Sequence, residues 1–540
     1  MTAGRRSGVV VPLFSLTSTR SWGVGEFADL PVFARWLQSA GQALVQLLPL
    51  TEIPEAETSP YSSVTAMALD PISIALPDVE DFAALGGESA LPADERALLD
   101  DARRSSKVEH KKVRTLKSRA LRRAFDQFVR SEQARATARA EAFDAFAAAE
   151  GWWLDDYALF QAIRGQQLLR PWWQWPAALA GRDAASLRTA SKQLAGEIAY
   201  RKYVQWIAAS QWAEARRLSQ PVQIFGDLPF MISADSPDVW TAQAEFRSDA
   251  TVGVPPDAFS DTGQDWGLPP WRWDVMARND FAWMRRRARR SAQLFDGFRL
   301  DHLVGLYRTY IRPTNPGVKP FFAPPDEPTQ LALGEHLVRL YLQSGAEIIA
   351  EDLGTVPDMV RQSLLRLNVP GFKVFRWERD WKAPGSPYID PLTYPETSVA
   401  TTGTHDTEPL VCWWEELPAN DRERILAIPA IARRLSLDVA TLVATPTFSA
   451  DLRDAMLRGV LDSTSQLTIF PLQDLFGWRA RINTPAQVDD ENWTWRLPWP
   501  VDRLAEEPEA RARAEHLASW TAEAGRQHAL RDRDSERAGA

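Results

Sequence analysis

Eight short apolar runs, at positions 9–13, 44–48, 222–225, 298–300, 348–350, 372–375, 399–402 and 467–470, constrain the fold of this 540-residue chain more than any other feature. They are continuous rather than alternating, as strands covered by helices on both faces of a parallel sheet require. Several of the segments between them repeat apolar residues at helical spacing, as in Phe27, Leu30, Phe33, Ala34 and Leu37, or Leu333, Leu337, Leu340 and Tyr341. Strand alternating with helix predicts an α/β fold, and eight such strands fit a closed (β/α)8 TIM barrel. One connection is too long for that pattern. Residues 87–221 are rich in Ala, Arg, Glu and Gln and poor in strand signals, which predicts a mainly helical insertion between the second and third strands. The expected organisation is residues 1–86 as the first part of the barrel, 87–221 as the insertion, and 222–540 as the rest of the barrel with loop insertions and a C-terminal helix.

Charge and composition exclude several classes. The net charge of −9 disfavours a polyanionic partner such as nucleic acid. The basic runs within 103–123 and 285–290 read as solvated helix faces, the first because Val113, Leu116, Ala120, Ala124 and Phe128 keep an apolar stripe beside it. No apolar run approaches the length of a membrane span, and the basic N-terminus lacks the features of a signal peptide. A single cysteine, Cys412, allows no internal disulfide. A cytoplasmic protein is expected, with no membrane partner; its oligomeric state is not legible. No phosphate-cradling Gly-Lys loop, Rossmann glycine fingerprint, zinc-type His-Glu-x-x-His or EF-hand loop is present, so no cofactor or metal is expected.

Three of the apolar runs end in carboxylates: Asp301 after Arg299-Leu300, Glu351 after Ala350, and Asp406 after Thr404-His405. Strand C-termini in a parallel barrel converge on one mouth, where the chemistry of such folds is done. Acids arriving there on separate strands suit glycosidic-bond chemistry, in which one ionised carboxylate attacks the anomeric carbon and a second, protonated carboxyl serves the departing oxygen. Arg299 and Asp301 are two apart in an extended run, so their side chains share a face and the cation favours an ionised Asp301. Glu351 ends the next strand, beside Asp301, whereas Asp352 points to the other side of the pleat as a loop anchor. A single acid at a strand end is as well explained as a hydrogen-bond acceptor or helix cap; three, two of them adjoining His302 and His405, are not. Neutral imidazole suits sugar hydroxyls. His336, within a helical pattern, reads as surface.

The chain resembles the 4-α-glucanotransferases of the amylomaltase or disproportionating-enzyme type, glycoside hydrolase family 77, related to the α-amylase clan. The similarity runs nearly end to end: Gly41-Gln42, Leu48-Pro49-Leu50, Ser59-Pro60-Tyr61-Ser62-Ser63, Trp153-Leu154-Asp155-Asp156-Tyr157, Gly226-Asp227-Leu228-Pro229, and Gly253-Val254-Pro255-Pro256-Asp257 continuing through Phe259-Ser260, Gly263-Gln264 and Trp266-Gly267. The three acid-bearing signatures follow in family order, then Asn483-Thr484-Pro485 and Asn492-Trp493. The resemblance implies Asp301 as nucleophile, Glu351 as acid/base and Asp406 as transition-state stabiliser. It further implies Arg299 and His405 lining the donor glucose site, Tyr61 stacking nearby, Asp227 supporting the pocket, and Trp266 closing a segment that holds glucan and shields the intermediate from water. His302 joins the substrate-binding set. Donor and acceptor would both be α-1,4-glucans. Departures are Leu303-Val304 where the family continues phenylalanine-arginine, Thr407-Glu408-Pro409 where it has asparagine-aspartate-threonine, Ala258 for a common tyrosine, Leu268 for a frequent asparagine, and Ala486 for glycine. They touch none of the three acids but bear on acceptor preference, which keeps a retaining α-glucan hydrolase and a non-catalytic glucan-binding protein as alternatives.

Overall fold

The computed structural model describes residues 4–256, 263–436, 438–444, 446–485, 487 and 489–527. Asp257, Ala258, Phe259, Ser260, Ala486 and the polar tail after 527 lie outside the described residues. Each of the eight apolar runs is a strand: β1 (Arg6–Val11), β2 (Leu44–Leu47), β3 (Gln223–Leu228), β4 (Gly297–Leu300), β5 (Glu347–Ala350), β6 (Gly371–Val374), β7 (Ser398–Thr401) and β8 (Leu467–Pro471). They pair in sequence order, and β8 returns to β1 to close the barrel. Every pairing is parallel. This is a (β/α)8 TIM barrel. Several strands begin on a residue the apolar pattern does not mark. Arg6 opens β1 and pairs with Glu347 of β5 at 2.5 Å, an ion pair at the end of the barrel where its strands begin.

Between β2 and β3 only helices and short helical turns occur. Helix α1 (Leu30–Ser39) follows β1; α2 (His110–Ser131) and α3 (Ala195–Ser219) lie in the long connection. The apolar stripe of α2 is fully buried, with Val113, Leu116, Ala120, Ala124 and Phe128 all inaccessible. Helix α3 leads into β3 and packs back on the barrel: Trp212 meets Phe27 and Phe295, and its indole N–H donates to the Leu294 carbonyl at 2.9 Å. Barrel and helical segment thus share one continuous apolar core.

A second, antiparallel sheet stands beside the barrel mouth, with Gln264–Asp265, Ala250–Val254, Thr309–Pro313 and Phe321–Ala323 in that order. Near it lie α4 (Trp273–Arg278), α5 (Ala282–Leu294) and α6 (Glu327–Leu342). No described helix is long and apolar enough to cross a membrane.

Most cations of the two basic runs lie on exposed or half-exposed faces, as expected, but three of them turn inward. In α2, Lys117 is buried, and its ammonium reaches Glu26 Oε1 at 2.5 Å and the carbonyls of Ile72 and Ile74 at 2.6 and 2.7 Å. In α5, Arg287 and Arg290 are buried and donate to the backbone carbonyls of Phe230 and Met67 at 3.2 and 2.9 Å. These cations replace water with carbonyls contributed by distant loops, a fit that local charge density does not reveal. The Lys117–Glu26 pair is closed to solvent, so removing one partner leaves the other charged and uncompensated. Lys117→Ala is expected to destabilise the fold by about 3–5 kcal/mol, read as a lowered urea midpoint; Lys112→Ala, at an exposed pair, is expected to leave that midpoint nearly unchanged.

Candidate active site

The site is assembled by the ends of three neighbouring strands. Asp227 lies in β3 directly opposite Arg299 in β4, and Arg299 lies opposite Ile349 in β5. Asp301 is the first residue beyond β4, and Glu351 the first beyond β5. Parallel register therefore sets Asp227 and Arg299 at one level of the barrel and Asp301 and Glu351 two residues nearer the mouth. The Arg299 guanidinium is their hub. Its Nη1 lies 2.8 Å from both oxygens of Asp227 and 2.9 Å from Asp301 Oδ1, while Nη2 lies 3.2 Å from Glu351 Oε2. The side chain of Arg299 is 6% exposed, against 23% for Asp301 and 19% for Glu351, so the cation forms the floor and the two acids face the opening.

Backbone groups complete the acids' partners. Asp301 Oδ2 accepts from the Phe230 N–H at 3.2 Å, and Glu351 Oε2 accepts from the His302 N–H at 2.6 Å. His302 adopts a left-handed conformation, φ 44°, which carries the chain from Asp301 around toward Glu351. Burial alone would disfavour charge on Glu351, and the neighbouring Asp301 adds to that; Arg299 and the His302 N–H oppose it. The balance pushes Glu351 up to about 7. Burial likewise raises Asp227, against the pull of Arg299. For Arg299 burial opposes the cation, but the surrounding carboxylates outweigh it and hold the guanidinium charged.

Asp406 approaches from the loop beyond β7. Its Oδ2 is 3.2 Å from His405 Nε2, its Oδ1 accepts from Asn483 Nδ2 at 2.6 Å, and Arg481 donates to its carbonyl at 2.8 Å. Burial would raise this carboxyl, yet the charge and hydrogen bond of His405, together with Asn483, bring it down to about 2. His405 is raised in turn, burial being outweighed by Asp406. The Thr407-Glu408-Pro409 departure has a local structural role. Glu408 accepts from buried Arg376 through both its side chain, at 2.9 Å, and its carbonyl, at 2.8 Å, and Thr407 Oγ accepts from the Thr404 N–H at 3.0 Å. A Cβ at Gly403 would collide with Thr407 Oγ and press on Arg376, so the turn carrying Asp406 requires glycine there.

Aromatic rings stand on two sides. Tyr61 stacks on His405, with centroids 5.1 Å apart and planes at 16°, and leans on Trp493; its hydroxyl donates to Asp227 Oδ2 at 2.8 Å. Opposite, the His302 ring is held edge-on between Phe230 and Trp266, at 5.0 and 4.8 Å. Burial lowers His302 to about 4, leaving its imidazole neutral near pH 7. All nine residues singled out in the sequence, Tyr61, Asp227, Trp266, Arg299, Asp301, His302, Glu351, His405 and Asp406, are thus linked by these contacts. Asp352 instead accepts from the Phe372 N–H at 2.7 Å, anchoring its loop to β6. Sequence reasoning gave no role to Phe230, Arg376, Arg481, Asn483 or Trp493. Only Asn483 and Trp493 had a signal, in the motifs that contain them. Val304, where the family has arginine, is buried in the short helix Val304–Tyr307. Among the described residues no cluster of His, Cys, Asp and Glu is arranged to hold a metal ion.

A parallel barrel presenting paired carboxylates around a buried arginine at its C-terminal mouth is the architecture of a glycoside-active enzyme. The model of glycoside hydrolase family 77, 4-alpha-glucanotransferase, matches residues 11–502. The chain belongs to that family. It is 33% identical to the 4-alpha-glucanotransferase of Thermus thermophilus, with 88% of this chain and 92% of that protein aligned. The enzyme of the same name from Chlamydia trachomatis is 30% identical, with 93% and 92% aligned. Among solved structures, the amylomaltase from Streptococcus agalactiae in complex with acarbose superposes with a TM-score of 0.79 at 26% identity, covering 97% of this chain and all of that one.

The low value at Asp406 depends on its two side-chain partners. In Asn483→Ala the Asp406 carboxyl is expected to titrate at higher pH than in the parent enzyme, which carbon-detected NMR of the side-chain carboxyls would resolve. An unmoved titration would mean that His405 alone holds the charge.

Proposed function

We propose that the enzyme cleaves an α-1,4-glucosidic bond with retention and passes the glucanosyl unit to the 4-hydroxyl of a second glucan. Asp301 attacks C1 while protonated Glu351 gives its proton to the glycosidic oxygen, so the C1–O bond breaks and the leaving chain departs with a free 4-hydroxyl. An acceptor 4-hydroxyl then loses its proton to Glu351 and attacks C1, which releases Asp301. Asp406 grips hydroxyls of the distorted donor sugar. Arg299 and His405 line the donor site with Tyr61 beside them, Asp227 supports Arg299, and His302 and Trp266 contact the glucan on the other flank.

The observation carrying this reading is one guanidinium contacting both Asp301 and Glu351 while Glu351 stands near 7. Such a carboxyl is a competent acid near neutral pH. Once Asp301 is esterified to sugar its charge is gone and Arg299 acts on Glu351 with less competition, so the Glu351 pKa falls and the carboxyl stays ionised, ready to accept the acceptor's proton in the second half of the cycle. The aromatic residues on both flanks support transfer over hydrolysis, because an intermediate waiting for an acceptor must be kept from water. Cytoplasmic location, and the reading of residues 87–221 as a helical insertion subdomain, belong to the same proposal.

Incubation with maltotriose tests the function: a ladder of longer oligosaccharides at constant reducing-end count is expected, whereas a rising count would mark a hydrolase. Asp301→Asn should reduce the rate by several orders of magnitude with little change in stability. Because Glu351 must start protonated, kcat/KM is expected to fall as pH rises through about 7. The descending limb should disappear from the residual activity of Glu351→Gln; persistence would assign the limb to another group.

A further inference from the structure

The acids do not line the large cavity beside the second sheet. That cavity, of about 820 Å³, is bounded by the Thr309–Pro313 and Phe321–Ala323 strands and by α4 and α6. Its floor contains Phe246, Trp271, Trp273 and Phe281, each less than a tenth exposed. Its rim carries Arg247, Ser248, Asp249, Arg272 and Asp274. We propose that this cavity is a second, non-catalytic site for a short α-1,4-glucan, an inference that rests on the glucan reading of the active site.

Three observations support it. The volume falls within the range of clefts that enclose small ligands, roughly 300–1,000 Å³. The charge on the rim is balanced, two arginines against two aspartates, and Arg247 is already tied to Asp249 by two bonds at 2.9 and 2.7 Å. A phosphate or a polycation would find half of that rim repulsive, whereas a neutral sugar finds fixed donors and acceptors for its hydroxyls. The aromatic floor matches the C–H faces that such a sugar presents between its hydroxyls.

Position gives the site a use. Trp271 packs on Phe230 at 4.9 Å, Phe230 packs on His302 at 5.0 Å, and the Phe230 N–H bonds Asp301. One aromatic layer therefore separates the cavity from the acids. A glucan held there by one segment keeps its remaining length near the barrel mouth and raises the effective concentration of chain ends at the active site. Short donors, too small to reach both sites, gain nothing.

Calorimetric titration of maltohexaose into Asp301→Asn tests the proposal against Asp301→Asn/Ser248→Trp, in which a bulky ring at the exposed rim blocks the cavity. Binding at both the acids and the cavity is expected in the first protein, and at the acids alone in the second. In otherwise unmodified enzyme, Ser248→Trp should raise KM for long amylose several-fold and leave maltotriose turnover unchanged. A thermal midpoint equal to the parent's excludes misfolding, and Arg272→Ala/Asp274→Ala provides a second variant with the same expected outcome. A single glucan site in both titrated proteins overturns the cavity proposal alone. Absence of any glucan binding to Asp301→Asn overturns the proposed function as well.

Discussion

One buried cation organises the mouth of this barrel. Arg299 contacts Asp227, Asp301 and Glu351, and without it three carboxyl groups would face one another in a site largely removed from water. Burying charge is costly unless the partners are well placed, and losing one partner of such a set costs more than the set contributes net. Three carboxylates around one guanidinium would still leave excess negative charge. Burial and the Asp301 charge relieve it by favouring a proton on Glu351. The arrangement that lets the site fold thus also leaves one of its carboxyls able to carry a proton near neutral pH.

The barrel supplies the geometry that this charge balance needs. Asp227 and Arg299 are register partners on adjacent strands, and the strands bearing Arg299 and Glu351 are neighbours as well. Strand spacing fixes their separation without help from loops. Asp406 differs: it lies on a loop and is held by Asn483 and Arg481 from a segment beyond β8, while Arg376 at the end of β6 braces Glu408. Asp406 thus depends on contacts among three parts of the chain, whereas Asp301 and Glu351 are placed chiefly by the sheet.

This division explains what the sequence makes legible. The eight strands stand out because a strand covered on both faces must be apolar throughout, and the acids stand out because they interrupt such runs. Strand starts at Arg6, Glu347 and Ser398 are hidden, since polar residues can occupy the barrel's far end when paired there. Of the holders of Asp406, Asn483 stands in a motif but Arg481 is hidden, as is Arg376 beneath Glu408: nothing near either arginine in the chain reveals which carbonyl or carboxylate it will meet. Lys117, Arg287 and Arg290 read as solvent-facing cations for the same reason. Their partners come from loops at residues 26, 72, 67 and 230, and only the folded chain brings those loops together.

The left-handed backbone at His302 has a consequence for altering this enzyme. The peptide between Asp301 and His302 turns its N–H onto Glu351, and that turn places a positive φ on a residue that carries a Cβ. Asparagine and glycine adopt this conformation readily, while valine, isoleucine or threonine would resist it. Position 302 therefore admits a narrow set of replacements that alter the ring between Phe230 and Trp266 without displacing either acid. The β-branched residues lie outside that set whatever their size.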